Sequence, residues 1–236
     1  MEKVVYALTA PLGPAGAQVG QDLLEIAGPA LVARGALGVQ VNVVDHAVAP
    51  AHRHRIASSD QPADAVVSVW LNSATAHLRT WADDILSAHA GTLAAYLVTE
   101  SVPLPNTRFP DRGGSRTEGF SQVAFLRRPA HLAQGEWLTR WLDDHTQVAV
   151  DTQDTFLYVQ NVVIRPLTPG APPWDGIVEE CFPAEAMTDQ HAFFDAIGDD
   201  DRLRRNQTAM FESCARFLDV STIDVLPTSR HVLLAP

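Results

Sequence analysis

The apolar positions of this chain follow two rhythms, a short strand-like one and a longer helical one, and their order repeats once along its 236 residues. Lys3-Val-Val-Tyr-Ala-Leu-Thr-Ala-Pro11 is an apolar run stopped by proline, and Ser121-Gln-Val-Ala-Phe-Leu-Arg-Arg-Pro129 has the same shape. Gly38-Val-Gln-Val-Asn-Val-Val44 is echoed by Leu157-Tyr-Val-Gln-Asn-Val-Val163, with Asn42 falling on Asn161. Asp64-Ala-Val-Val-Ser-Val-Trp-Leu71 lies over Asp175-Gly-Ile-Val-Glu-Glu-Cys-Phe182. Between these strands the spacing widens. Residues 18–33 carry Val19, Leu23, Leu24, Ile26, Ala27 and Leu31 as a helical stripe, which Pro29 is expected to bend or end. Residues 133–150 place Trp137, Leu138, Trp141, Leu142 and Val148 on one face. Further helices are expected over 75–90 and 189–217, the latter broken near Gly198, and strands over 94–103 and 223–234.

Each copy therefore reads strand-helix-strand, strand-helix-strand: residues 1–106, a linker at 107–117 rich in proline, glycine and polar residues, and residues 118–236. This is an α+β, ferredoxin-like βαββαβ pattern, with two helices covering one face of an antiparallel sheet. The other face would be bare and apolar in an isolated copy. Burial predicts that the two repeats cover each other there, fused into one intramolecular α+β barrel.

Composition narrows the partners. Hydrophobic residues make up 46% and charged residues 19%, the balance of a globular protein. A net charge of -11 argues against nucleic acid, since the basic clusters, Arg127-Arg128 and 202–205, are short. Cys181 and Cys214 form no disulfide framework and suit a reducing compartment. No apolar run is long enough for a membrane span, so a cytoplasmic protein is expected. His52 and His54 are close in sequence but lack a neighbouring cysteine or carboxylate at ligand spacing, and no metal site is expected. No phosphate-cradling glycine motif is present, which argues against nucleotide cofactors.

The second copy resembles the EthD family, within the dimeric α+β barrel superfamily. Its helix carries Trp137, Trp141 and His145, similar to that family's aromatic-tryptophan-histidine motif. Its strand Trp174-Asp-Gly-Ile-Val-Glu-Glu-Cys-Phe182 resembles the Asp-Gly strand with a glutamate four residues after the aspartate, here Glu179. Cys181 stands where the family has tryptophan, although the first copy keeps one at Trp70. The first copy has no counterpart of His145, whose place falls near Ala27, and has Ser68 in place of Glu179. The resemblance implies one working half and one supporting half. The fusion removes the need for a homodimer without forbidding one.

His145 shares a helical face with Trp141 and Trp137, and imidazole titrates near neutrality, so it is the candidate proton carrier. Glu179 and Glu180 interrupt an apolar strand and must point to opposite faces. The family match favours Glu179 as catalytic partner with a raised pKa, leaving Glu180 as a binding residue. Tyr158 and Asn161 are candidates to orient a carbonyl or hydroxyl, and Trp137, Trp141 and Tyr158 to wall a pocket. The expectation is an acid–base lyase, dehydratase or isomerase without bound cofactor, acting on a hydrophobic oxygenated small molecule such as an aromatic or polyketide-like compound. The superfamily resemblance also admits a cofactor-free monooxygenase or a haem protein with His145 as axial ligand. A non-catalytic carrier of a catabolic pathway is the third reading.

Overall fold

A computed structural model describes residues 1–60 and 62–236, without the side chains of residues 14 and 15. Eight strands alternate with helices: β1 (Glu2–Thr9), α1, β2 (Gly38–Val43), β3 (Ala65–Leu71), α2 (Ala76–Ser87), β4 (Thr92–Leu104), then β5 (Phe120–Leu126), α3, β6 (Leu157–Pro166), β7 (Gly176–Phe182), α4 (Gln190–Phe193), α5 (Asp200–Ala215) and β8 (Asp224–Leu234). The helix α1 comprises Val19–Asp22, a π-helical stretch Leu23–Ala27 and Gly28–Ala33. The helix α3 comprises Gln134–Leu138, a π-helical stretch Thr139–His145 and Thr146–Thr152.

All pairings are antiparallel, and the strands close in the order β1-β3-β2-β8-β5-β7-β6-β4. The four strands of each half take one order, with the fourth beside the first and the third between first and second. The halves meet where the second strand of one pairs with the fourth of the other, β2 with β8 and β6 with β4. Closure removes both sheet edges, and it satisfies the burial argument from which the barrel was expected.

Pro29 does not end α1. It stands one residue beyond the π-helical stretch, after Gly28, and the helix continues to Ala33. The hydrogen-bond ladder has already shifted where proline lacks a donor, which is the usual setting for a tolerated proline. The helix expected over 189–217 is two helices, separated by a turn in which Gly198 has φ +74°. Asp199 then caps α5 by accepting from the Arg202 N–H.

Strand alternation sorts the side chains into three layers. In the first half Val4, Tyr6, Leu8, Val39, Val41, Val67 and Val69 face α1 and α2. In the second, Phe120, Ala124, Tyr158, Val178 and Phe182 face α3, α4 and α5. Between the sheets, Val5, Val66, Tyr96, Val98, Val123, Phe125, Ile177 and Leu226 fill the barrel. Among the described residues, no helix is long and apolar enough to cross a membrane.

Candidate functional site

Glu179 and Glu180 are neighbours on β7, and alternation sends them into different environments. Glu179 points into the barrel. Its carboxylate accepts from Gln40 Nε2, Asn42 Nδ2 and Ser121 Oγ, each at 2.8 Å, and lies 3.5 Å from Arg230 Nε. Arg230 is itself held by Asp111 Oδ1 (2.6 Å) and Gln40 Oε1 (3.2 Å), while Asn42 also donates to Thr228 Oγ1 (3.1 Å). These groups bridge the β2–β8 seam, so the buried network ties one half of the barrel to the other. Burial opposes the Glu179 charge, but the Arg230 guanidinium and the Gln40 and Asn42 amides outweigh it and hold the carboxyl below its ordinary range. The raised pKa expected of Glu179 is thus reversed. Its oxygens are already occupied by protein donors.

Glu180 points the other way, into a cavity of about 320 Å³ between the second-half sheet and its helices. Its cross-strand partners Gln122 and Tyr158 line the same cavity. Glu180 is 9% exposed, and its Oε1 is enclosed without a hydrogen-bond partner. Burial alone raises its carboxyl to about 7. The same burial, reinforced by the Glu180 charge, lifts the Tyr158 phenol well above its usual range and the Cys214 thiol to about 12. Tyr158 and Cys214 therefore stay protonated at neutral pH.

The helices supply the opposite wall. His145 ends the π-helical stretch of α3, at the place where Ala27 ends that of α1. The wider turn re-aims side chains and is frequent at functional sites. The His145 ring packs 4.7 Å from that of Phe217. Ser213 Oγ accepts from Arg216 (3.2 Å) and is 2.9 Å from His145 Nδ1. When the Ser213 hydroxyl donates to Nδ1, the neutral imidazole carries its own proton on Nε2. Burial, and then the Arg216 charge, lower His145 to about 4, so the ring is neutral at pH 7. Trp141 lies over Gly176, where an added Cβ would come within 2.6 Å of the indole. This contact explains the glycine of the Asp-Gly pair.

The first half also reaches this cavity. Ile56 exchanges backbone hydrogen bonds with Val225 (3.0 and 2.8 Å), carrying Arg53 and His54 to the rim. His54 stacks on Phe193 with centroids 4.9 Å apart. Gln153, at the end of α3, and Phe193, Phe194 and Met210 complete the wall.

Of the residues singled out in the sequence, the fold gathers His145, Trp141, Tyr158 and Glu180 around one cavity. Trp137 sits behind it, its Nε1 donating to the Phe217 carbonyl (3.0 Å) and its ring 4.9 Å from Trp141. Glu179 and Asn161 share the barrel interior instead, where Asn161 Nδ2 donates to the Ile177 carbonyl (3.1 Å). Gln153, Cys214, His54 and the phenylalanines of α4 and α5 had not been singled out for this pocket. They lie on segments whose apposition depends on tertiary packing. Among the described residues no group of three or more histidine, cysteine or acidic side chains is placed to hold a metal. Haem at His145 would need more room than the about 320 Å³ of this cavity.

The sequence matches no family model and no curated protein. The fold does have solved counterparts. An anthrone oxidase-like protein superimposes with a TM-score of 0.57 at 11% identity, covering 98% of this chain and 91% of the other. A protein proposed to be a monooxygenase, from Fusobacterium nucleatum, gives 0.49 at 10% identity over 98% and 92%. A dye-decolorizing peroxidase from Bacteroides thetaiotaomicron gives 0.49 at 9% over 97% and 92%. The first of these shares the α+β barrel, and at such identities the likeness is one of fold.

Proposed function

We propose that this chain is an acid–base enzyme without bound cofactor, acting on a small hydrophobic oxygenated molecule in the cavity between the second-half sheet and its helices. One observation carries the reading: the enclosed, unpartnered Glu180 carboxyl, raised to about 7, faces the same apolar cavity as a neutral histidine. A general acid or base works best with a pKa near the operating pH. Glu180 replaces Glu179 in the role the family resemblance assigned. In its ionised form Glu180 takes a proton from carbon next to a carbonyl, and the electrons of that C–H bond move into an enolate. His145 Nε2–H donates to the enolate oxygen. Returning the proton to another atom gives an isomerase, and loss of a neighbouring hydroxyl as water gives a dehydratase or lyase.

The matching strand orders and the π-helical stretch in each half support reading the chain as two copies of one EthD-like, ferredoxin-like unit, 1–106 and 118–236. Catalysis would then belong to the second copy, with Arg53 and His54 of the first completing its rim.

The test is hydrogen exchange into 2-tetralone, a small enolisable aromatic ketone, in D2O. Exchange above the buffer rate that rises with pH through about 7 and is lost in Glu180→Gln supports the reading. Binding without exchange would make the protein a carrier. The shared barrel of the anthrone oxidase-like protein favours a second reading, in which the deprotonated substrate reacts with dioxygen. Oxygen uptake that requires Glu180 would select it, and a Soret band in the purified protein would select its haem variant.

A further inference from the structure

The cavity holds a second enclosed acceptor that the proposed proton transfer does not use. Gln153 is 7% exposed and lines the same cavity, and its Oε1, like Glu180 Oε1, is buried with no hydrogen-bond partner. Buried polar atoms without partners are uncommon and cost free energy, so three around one cavity, these two acceptors and the donor Trp141 Nε1, call for an occupant that completes them, and a hydroxyl can both donate to an acceptor and accept from the indole. Gln153 follows α3, and the next residue, Asp154, donates its N–H to the Phe193 carbonyl (3.1 Å), which ties this corner to α4. Glu180 sits on the sheet floor between Gln122 and Tyr158. The two acceptors thus belong to different walls of a pocket otherwise lined by rings and aliphatic groups, Phe193, Phe217 and Trp141 among them.

We propose that the pocket selects an uncharged aromatic ligand with two hydroxyl groups, one donating to Glu180 and the other to Gln153 Oε1. The ring system occupies the apolar middle, and Gln153 is a specificity residue rather than a catalytic one. This rests on the cavity assigned above as the active site but not on turnover. A dimethyl ether of the same skeleton has equal or greater apolar area and no donor, so it would strand both acceptors on binding.

The experiment is equilibrium binding of a panel of naphthalenediols, their monomethyl and dimethyl ethers and the corresponding quinones, by calorimetry without oxygen at pH 8, where Glu180 is ionised and only accepts. At least one diol should bind ten- to a hundredfold more tightly than its dimethyl ether, in line with the roughly 1–3 kcal/mol cost of a stranded buried polar atom. In Gln153→Met that preference should shrink to that of the monomethyl ether, with the dimethyl ether bound as tightly as by the parent or more tightly. Near-isosteric Gln153→Glu checks that a folded variant retaining an acceptor still prefers the diol. Equal affinities across the panel, tighter binding of a quinone, or a diol preference that survives in Gln153→Met would each overturn the assignment. Diol selectivity with no exchange into 2-tetralone would leave this inference standing and remove the proposed reaction. Exchange with no diol selectivity would do the reverse.

Discussion

Glu179 and Glu180 have the same side chain, adjacent positions and comparable burial, yet the fold makes opposite uses of them. Glu179 meets an arginine, two amides and a hydroxyl, and remains ionised inside the barrel. Glu180 meets rings, a thiol and an empty acceptor site, and its charge is opposed. Burial is similar in both cases, so the partners decide the chemistry. A carboxylate whose lone pairs are filled by fixed donors is a structural clamp. One left unsatisfied in a dry pocket is available to carry a proton.

The largest expected effect is on turnover. Glu180→Gln should lower hydrogen exchange or any related reaction by roughly 10²–10⁴-fold, the usual worth of a positioned general base. Glu179→Gln, which keeps shape but only one of the two acceptor oxygens, should leave exchange by the folded protein within about threefold, and the reverse pattern would break the comparison. Next comes stability. Glu179→Ala leaves the buried Arg230 with Asp111 as its remaining carboxylate and removes the shared acceptor of Gln40, Asn42 and Ser121. A loss of about 3–5 kcal/mol in urea melts is expected, and a loss under about 1 kcal/mol would argue that the seam does not depend on this network.

The pH dependence of stability separates the two carboxyls again. From its ordinary value of 4.5 up to about 7, Glu180 keeps a proton in the folded chain that it has lost in the unfolded one. Stability therefore falls as pH rises through that window, by about 3 kcal/mol in total. Glu180→Gln should match the parent near pH 4 and exceed it at pH 8, as urea melts at the two pH values would show. Glu179 works in the other direction: its lowered pKa stabilises the fold above the ordinary carboxyl range, and that contribution disappears on acidification. The smallest effect tests the wall. Gly176→Ala pushes a methyl against the Trp141 indole and should cost about 1–3 kcal/mol, with a changed Trp fluorescence as the second readout.

Local pattern carried the strands, because a period of two marks a strand wherever it lies, and the closing of eight strands followed from two bare sheet faces. It also separated Glu179 from Glu180. What alternation could not say is which face holds the cavity. That depends on how α3 and α5 stand off from β6 and β7, and on Phe217, Cys214 and Gln153 converging from distant segments. The family motif drew the choice toward Glu179, whose filled partners Gln40 and Asn42 belong to the other half and could not be read from its own strand. Trp137 and Asn161 were misplaced for the same reason: position on a face is local, whereas what lines a cavity is not.

The most direct test of this division is infrared titration of the carboxyl groups, comparing the unmodified protein with Glu180→Gln and Glu179→Gln. One protonated carboxyl band should persist above pH 6, titrate near pH 7 and vanish in Glu180→Gln while remaining in Glu179→Gln. A band absent above pH 6, or one that vanishes with Glu179 instead, would contradict the assignment of the proton-carrying role to Glu180.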